Sequence, residues 1–243
     1  MHVSIKSILL PVLLILPFVA FAQNTTITVY APDGPPQASA ADERGIMADA
    51  ALEALRRAGL TGKITFVPWK RAQEDVAAGK DLLITGFSRT PEREDRYTWL
   101  FSVFTMNNTF ASLGKPINSF ADVKIDNKQV VAVLGAAQHK TLLDEGVPAG
   151  NITTVTNILQ KNVPDMMVSG RIDAWFSSDA EIKYFLKGRA DAGKFVIGPP
   201  LSSAKQYVAC SKDCSPELVA KMKKVGAEMK ADGTLATIIA RYQ

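Results

Sequence analysis

The order of strand-like and helix-like segments runs through this chain twice, and no other feature restricts its fold as much. Residues 26–30 alternate apolar and polar side chains as a half-buried strand does. Met47, Ala48, Ala51, Leu52 and Leu55 then recur on one helical face, with Gly59 as the stop. Residues 64–67 read as a second strand, 69–78 as a second helix and 81–87 as a third strand. The pattern returns with strands at 129–134, 152–155, 172–177 and 195–197, separated by helical stretches that end near Glu145, Val168 and Leu186. Strands separated by helices pair in parallel, so two α/β units with parallel sheets are expected. Between them, residues 107–118 hold few helix signals and read as a connection. Ser215-Pro216 opens a C-terminal helix, and Asp232-Gly233 stops it before a last helical stretch at 235–242. Its Leu218, Met222, Val225 and Met229 stripe has the spacing of core packing and implies no cofactor.

The first 22 residues stand apart from this pattern. Lys6 precedes an apolar run at 8–16, and Ala20-Phe21-Ala22 forms a small-x-small cleavage site before Gln23, so residues 1–22 are expected to be a cleaved signal peptide. Pro11 and Pro17 interrupt the run, which is short for a membrane anchor. No cysteine follows the cleavage site to carry a lipid. The expected product is exported, most simply to a bacterial periplasm. Removing Lys6 with the leader from the 28 basic residues leaves 27 against 24 acidic ones, scattered rather than in blocks. This mild charge excludes nucleic acid as the partner. In an oxidising compartment Cys210 and Cys214, the two cysteines of CSKDC, are expected to form a local disulfide. A redox role is the rival, but the spacing is one residue longer than CxxC.

Chemistry concentrates at two strand-to-helix junctions. The apolar run 82–84 leads through Gly86 and Ser88 to Thr90-Pro91, read as a capping hydroxyl and the first helical residue, which places Arg93 in the first turn. A cation is disfavoured at that electropositive end unless an anion arrives to use both the guanidinium and the free amides. A carboxylate suits it, because a guanidinium forks onto two oxygens. The alternative is that Arg93 pairs with Glu92, Glu94 or Asp95. The second junction is Gly135-Ala136-Ala137, and if the two units face each other a small anion meets both. Catalytic patterns are scarce. His139, the one histidine after the leader, is expected on the surface of a helix's first turn. No GxSxG, HExxH, GxGxxG or Walker pattern occurs, so neither a metal nor a cofactor is indicated.

The run VPWKRAQEDVAAGKDLLITGFSRTPEREDRYTWLFSVF, followed in order by VVAVLGAAQHKTLLDEGV, SGRIDAWFSSDAEIKYFL and CSKDCSPELVAKMKKVGAEMKADGTLATIIARY, resembles the periplasmic solute-binding proteins of ABC transporters, extracellular solute-binding family 3, of the polar amino acid type. The likeness spans the mature chain. It implies a two-lobed periplasmic-binding-protein fold of type II. Each lobe is then a mostly parallel sheet flanked by helices, joined to the other by two crossover strands. Residues 23–110 and 201–243 would form lobe 1 and residues 111–200 lobe 2, with ligand held in the cleft as the lobes close. The resemblance puts the ligand carboxylate on Arg93 and Thr90 with backbone from Gly86 and Ser88, and on Gly135 with the amides of Ala136 and Ala137. Asp173 matches a structural position. This chain departs where Ala136 replaces a hydroxyl residue, where Ser178 stands in place of an amine-binding aspartate with Asp179 one residue later, and where PDGPPQASAADERG lacks a covering aromatic ring. In PWKRAQ, Arg71 offers a second cation and Trp69 a wall, or else an exposed charge and a core indole. Trp175 is expected in packing, with Phe176 on the opposite strand face.

The function implied is a receptor that captures a small carboxylate-bearing solute, an amino acid or related organic acid, as a monomer, and delivers it to an ABC permease in the inner membrane. Two alternatives use the same scaffold. One is a cyclohexadienyl-dehydratase-like enzyme, for which Asp179 or Glu181 would be the general acid. The other is a ligand-sensing partner of a membrane sensor.

Overall fold

The computed structural model describes residues 26–242; the expected signal peptide lies outside them. The chain begins with β1 (Thr26–Ala31), α1 (Ile46–Arg57), β2 (Thr61–Phe66), α2 (Trp69–Ala78) and β3 (Leu83–Ser88). A 3-10 turn at Pro91–Arg93 leads to β4 (Tyr97–Leu113). Next come α3 (Phe120–Ile125), β5 (Val130–Val133), α4 (Ala137–Asp144), β6 (Ile152–Val155), a 3-10 segment at Asn157–Asn162 and α5 (Val163–Val168). The remainder is β7 (Ala174–Ser178), α6 (Asp179–Leu186), β8 (Phe195–Ile197), β9 (Ser202–Ser211), α7 (Pro216–Ala231) and α8 (Thr234–Ala240).

The strands run in the order β2-β1-β3-β9-β4-β7-β5-β6, with β8 also paired to β4. The parallel expectation holds within each group: β1 pairs β2 and β3 in parallel, as β5 does β6 and β7. It fails in the middle, where β9 is antiparallel to β3 and β4, and β4 is antiparallel to β7 and β8. The reason is β4. Its 17 residues reach roughly 56 Å at about 3.3 Å each, long enough to pair with β9 from Tyr97 and with β7 to Ser112. The segment 107–118, read as a connection, is therefore largely the far half of this strand.

Two pairs of hydrophobic clusters confirm two lobes. Around β1–β3, the buried stripe of α1 (Ile46, Met47, Ala51, Leu55) packs with Leu218, Met222 and Met229 of α7. Trp69, Val76, Phe87 and Tyr97 form a second cluster there. Around β5–β7, Trp175 packs with Met167 and Ile182 on one face of the sheet, and Phe176 with Phe110 and Leu142 on the other. All five residues of β7 are buried, as befits a strand covered on both faces. Asp173 Oδ2 accepts from the Gln129 amide at 2.7 Å, a structural bond. Cys210 and Cys214 are joined by a disulfide. Among the described residues no helix is long and apolar enough to cross a membrane.

Candidate functional site

The carboxyl ends of β1, β3, β5, β6 and β7 lead into the segments that line one cavity between the lobes, the place where open α/β sheets hold ligands. Lobe 1 contributes Gln37, Trp69, Gly86, Ser88 and Arg93; lobe 2 contributes Ala136, Ala137, Asn157, Ser177 and Glu181. Gly86 sits where the β3–β9 register shifts and has φ +68°, a conformation glycine adopts without strain. That bulge aims Phe87 inward and Ser88 at the cavity.

Arg93 is buried, 9% exposed. Its Nη1 donates to the Ser88 carbonyl at 2.8 Å, and its Nη2 donates to Gln73 Oε1 at 3.0 Å and to the Gly135 carbonyl of lobe 2 at 3.1 Å. The guanidinium lies over the Phe87 ring, 4.2 Å from its centroid. Two of the neighbouring acids are engaged elsewhere. Glu92 reaches Lys140 of α4 at 3.1 Å, and Glu94 forks onto Arg89 at 2.7 Å. Among the described residues no carboxylate pairs with Arg93, and burial pulls its pKa down to about 10. It is a cation held by neutral acceptors.

Another part of the cavity lining holds an acid. Glu181 is in the first turn of α6, where its amide donates to Ser178 Oγ at 3.1 Å. Ser177 Oγ donates to Glu181 Oε2 at 2.7 Å, and Ser178 Oγ lies 3.2 Å from the same oxygen. Burial pushes the Glu181 carboxyl above the usual range, and the two serine hydroxyls pull it partly back. Beside it, both amide atoms of buried Gln160 and Asn157 Oδ1 have no hydrogen-bond partner among the described residues. Gly34 of lobe 1 covers this group so closely that a Cβ there would lie 2.6 Å from Glu181 Oε1.

Several sequence-level placements need correction. Arg71 does not reach the cavity: its side chain is 70% exposed and pairs with Asp75 at 3.5 Å along the outer face of α2. Asp179 opens α6, pairs with Lys183 at 3.3 Å and faces a separate groove, so the helix turn does not bring it back to the cavity. Ser178 is fully buried and serves as the α6 cap. Thr90 makes no capping bond; its carbonyl accepts from the Arg93 amide at 3.0 Å, and its side chain borders an outer groove because Pro91–Arg93 is one 3-10 turn rather than an α-helix. The Ala136 amide is occupied by the Val133 carbonyl at 3.1 Å, and Gly135, with φ +78°, presents its carbonyl to Arg93. Trp69 does line the cavity, with its ring edge on Phe87 at 5.8 Å. Gln37, Asn157 and Glu181 also line the cavity and Gln73 holds Arg93, none of them a ligand-binding candidate from sequence pattern. Ser178-x-x-Glu181 did carry a signal, since it has capping-box spacing.

The profile of the bacterial extracellular solute-binding proteins, family 3, matches residues 27–243. The chain belongs to that family. Solved structures agree on the fold. The arginine-, lysine-, histidine-binding protein ArtJ from Geobacillus stearothermophilus is 15% identical with a TM-score of 0.78, over 90% of this chain and 95% of ArtJ. EhuB in complex with hydroxyectoine is 21% identical with a TM-score of 0.79, over 89% of this chain and 88% of EhuB. A histidine kinase sensor domain with similarity to periplasmic binding proteins is 14% identical with a TM-score of 0.79, over 89% and 95%. No curated protein matches the chain.

Proposed function

We propose that this family 3 protein is a periplasmic receptor that captures a small carboxylate-bearing solute, an amino acid or related organic acid, between its lobes and delivers it to an ABC permease as a monomer. Residues 23–110 and 201–243 act as one lobe and 111–200 as the other. The observation that carries the reading is Arg93, a buried guanidinium on the cavity wall with no carboxylate partner among the described residues. A solute carboxylate replaces the neutral Gly135 and Gln73 acceptors with two charge-assisted bonds. Glu181, with Gln160 and Asn157 beside it, receives the polar remainder of the solute. Because both lobes line the cavity, a solute held there bridges them and links binding to closure, and only the closed form presents the geometry a permease reads. The family and the solute-binding neighbours ArtJ and EhuB support a receptor over an enzyme.

The test is a thermal-shift screen of the mature chain over amino and carboxylic acids, followed by calorimetry. Arg93-dependent stabilisation by a carboxylate supports the reading. Formation of an aromatic product from prephenate or arogenate would replace it with an enzyme.

A further inference from the structure

The cavity at Arg93 measures about 40 Å³. At roughly 10–15 Å³ per water it holds only a few solvent molecules. Small-molecule sites span roughly 300–1,000 Å³, so a solute held in this closed arrangement needs more room. A second space of about 400 Å³ lies directly behind it, and Gln37 and Met106 line both. The partition is weak: Gln37 Nε2 donates to the Met106 thioether at 3.2 Å, and sulfur is a poor acceptor. On the opposite flank the cavity borders a smaller groove of about 250 Å³ through Ser88 and Ala137. That flank is tied shut by the Glu92–Lys140 pair, and by Gln138 donating to Asn108, which in turn donates to Ser202.

The larger space has a distinct chemistry. Phe104 and Tyr242 of lobe 1 and Tyr184 of α6, which is 47% exposed, line it together with Asp179, Lys183 and Lys187. Lys183 is paired with Asp179, whereas Lys187 has no acidic partner among the described residues. Such walls favour a flat apolar group with an electron-rich outer end.

Resting on the carboxylate reading above, we propose that the solute is an aryl-tailed carboxylate: its carboxyl meets Arg93, its stem passes between Gln37 and Met106, and its ring lies among Tyr184, Phe104 and Tyr242. Gln37 and Met106 then act as the partition a tail must displace, and the aromatic groove sets specificity.

Calorimetry on the mature chain compares propionate with 3-phenylpropionate and alanine with phenylalanine. The aryl member of at least one pair is expected to bind about tenfold or more tightly than its short partner, a gain that burial of one ring readily supplies. Tyr184→Ala, at a half-exposed position, should erase most of that preference and leave short-acid affinity unchanged. Met106→Ala should strengthen aryl binding by widening the passage. Equal, Arg93-dependent binding within both pairs overturns the tail site while the carboxylate reading stands. An aryl preference unaffected by Tyr184→Ala overturns the tail's placement. Binding that is absent for all four probes overturns the aryl-tail inference and leaves the carboxylate reading to the wider screen, whereas binding indifferent to Arg93→Ala overturns both.

Discussion

Arg93 and Glu181 line different parts of one cavity, share no hydrogen-bond partner and are buried by different means. The guanidinium takes its acceptors from both lobes: Ser88 and Gln73 on one side, Gly135 on the other. The carboxyl takes its hydroxyls from Ser177 and Ser178, within its own lobe. Arg93 therefore loses a bond whenever the lobes part, whereas Glu181 keeps its serine bonds. Their charges respond differently as well. Even lowered to about 10, the Arg93 pKa leaves the group cationic at neutral pH, while Glu181 is pushed toward its neutral form. One end is a permanent charge that reports closure, and the other is a conditional charge set by burial.

Arg93→Ala is the strongest way to break this contrast. Hydrogen bonds to charged groups contribute about 1.5–3 kcal/mol each, so losing a forked pair should weaken carboxylate binding by roughly a hundredfold or more in calorimetry. The unliganded chain should stay folded with a lowered melting temperature, because the Ser88, Gln73 and Gly135 acceptors and the Phe87 ring lose their partner. Arg93→Lys should recover only part of the affinity, since an ammonium cannot fork. If Glu181→Ala costs more affinity than Arg93→Ala, the ranking of the two ends is reversed.

Gly34→Ala tests whether the two ends depend on closure to the same extent. The new methyl would meet Glu181 Oε1 at 2.6 Å, and that oxygen belongs to a side chain held by two serines. Lobe 1 itself loses nothing. Overpacking of about 1–3 kcal/mol should fall on the closed form alone, lowering solute affinity by about tenfold with little change in unliganded stability. Small-angle scattering should show a more open pair of lobes. An unaltered affinity would mean that Glu181 swings aside freely and that its end of the cavity is not preset.

Much of this arrangement was legible in the sequence because it rests on local signals. The apolar stripe of α1, the Gly135 turn and the run that makes β3 each follow from patterns within a dozen residues. β4 was not legible. FSVFTMNNTFASL mixes polar and apolar residues because its two halves pair with different strands and serve two cores, so no single alternation runs through it. Arg93 was nameable from strand-to-turn chemistry, but its acceptors were not: Gln73 is 20 residues away and Gly135 is 42. Arg71 and Asp179 were misplaced for the opposite reason. Their types suit a polar cleft, yet the rotation of α2 and α6 decides where they point, and each found a partner four residues away on its own helix.

Glu181→Gln sharpens the comparison through pH. Ser177, Ser178, Gln160, Asn157 and Gly34 surround the carboxyl, and no cation pairs with it among the described residues. Its folded pKa is raised, so at acid pH below the ordinary carboxylate range both folded and unfolded chains hold the proton and the group has no effect. As pH rises the unfolded chain ionises first, and stability falls until the folded group ionises too. The glutamine variant escapes that loss. Its melting temperature should match the parent near pH 3.5 and exceed it by a widening margin toward neutrality. A margin that shrinks with pH would place a cation at this end and make both ends permanent charges.

Arg71→Ala should have the smallest effect, and its value is as a control on the outer face of α2. The side chain is exposed, and its pair with Asp75 is a helix-surface contact of the kind that contributes about 0.3–0.5 kcal/mol. Affinity for carboxylates should stay within about twofold of the parent, and the melting temperature should fall by no more than about 2 °C. Arg93 and Arg71 are then a matched pair: the same guanidinium chemistry, one buried over Phe87 and one in solvent. A loss of affinity in Arg71→Ala approaching that of Arg93→Ala would require the solute to contact the outer face of α2, and recognition would no longer rest on burial of a single cation between the lobes.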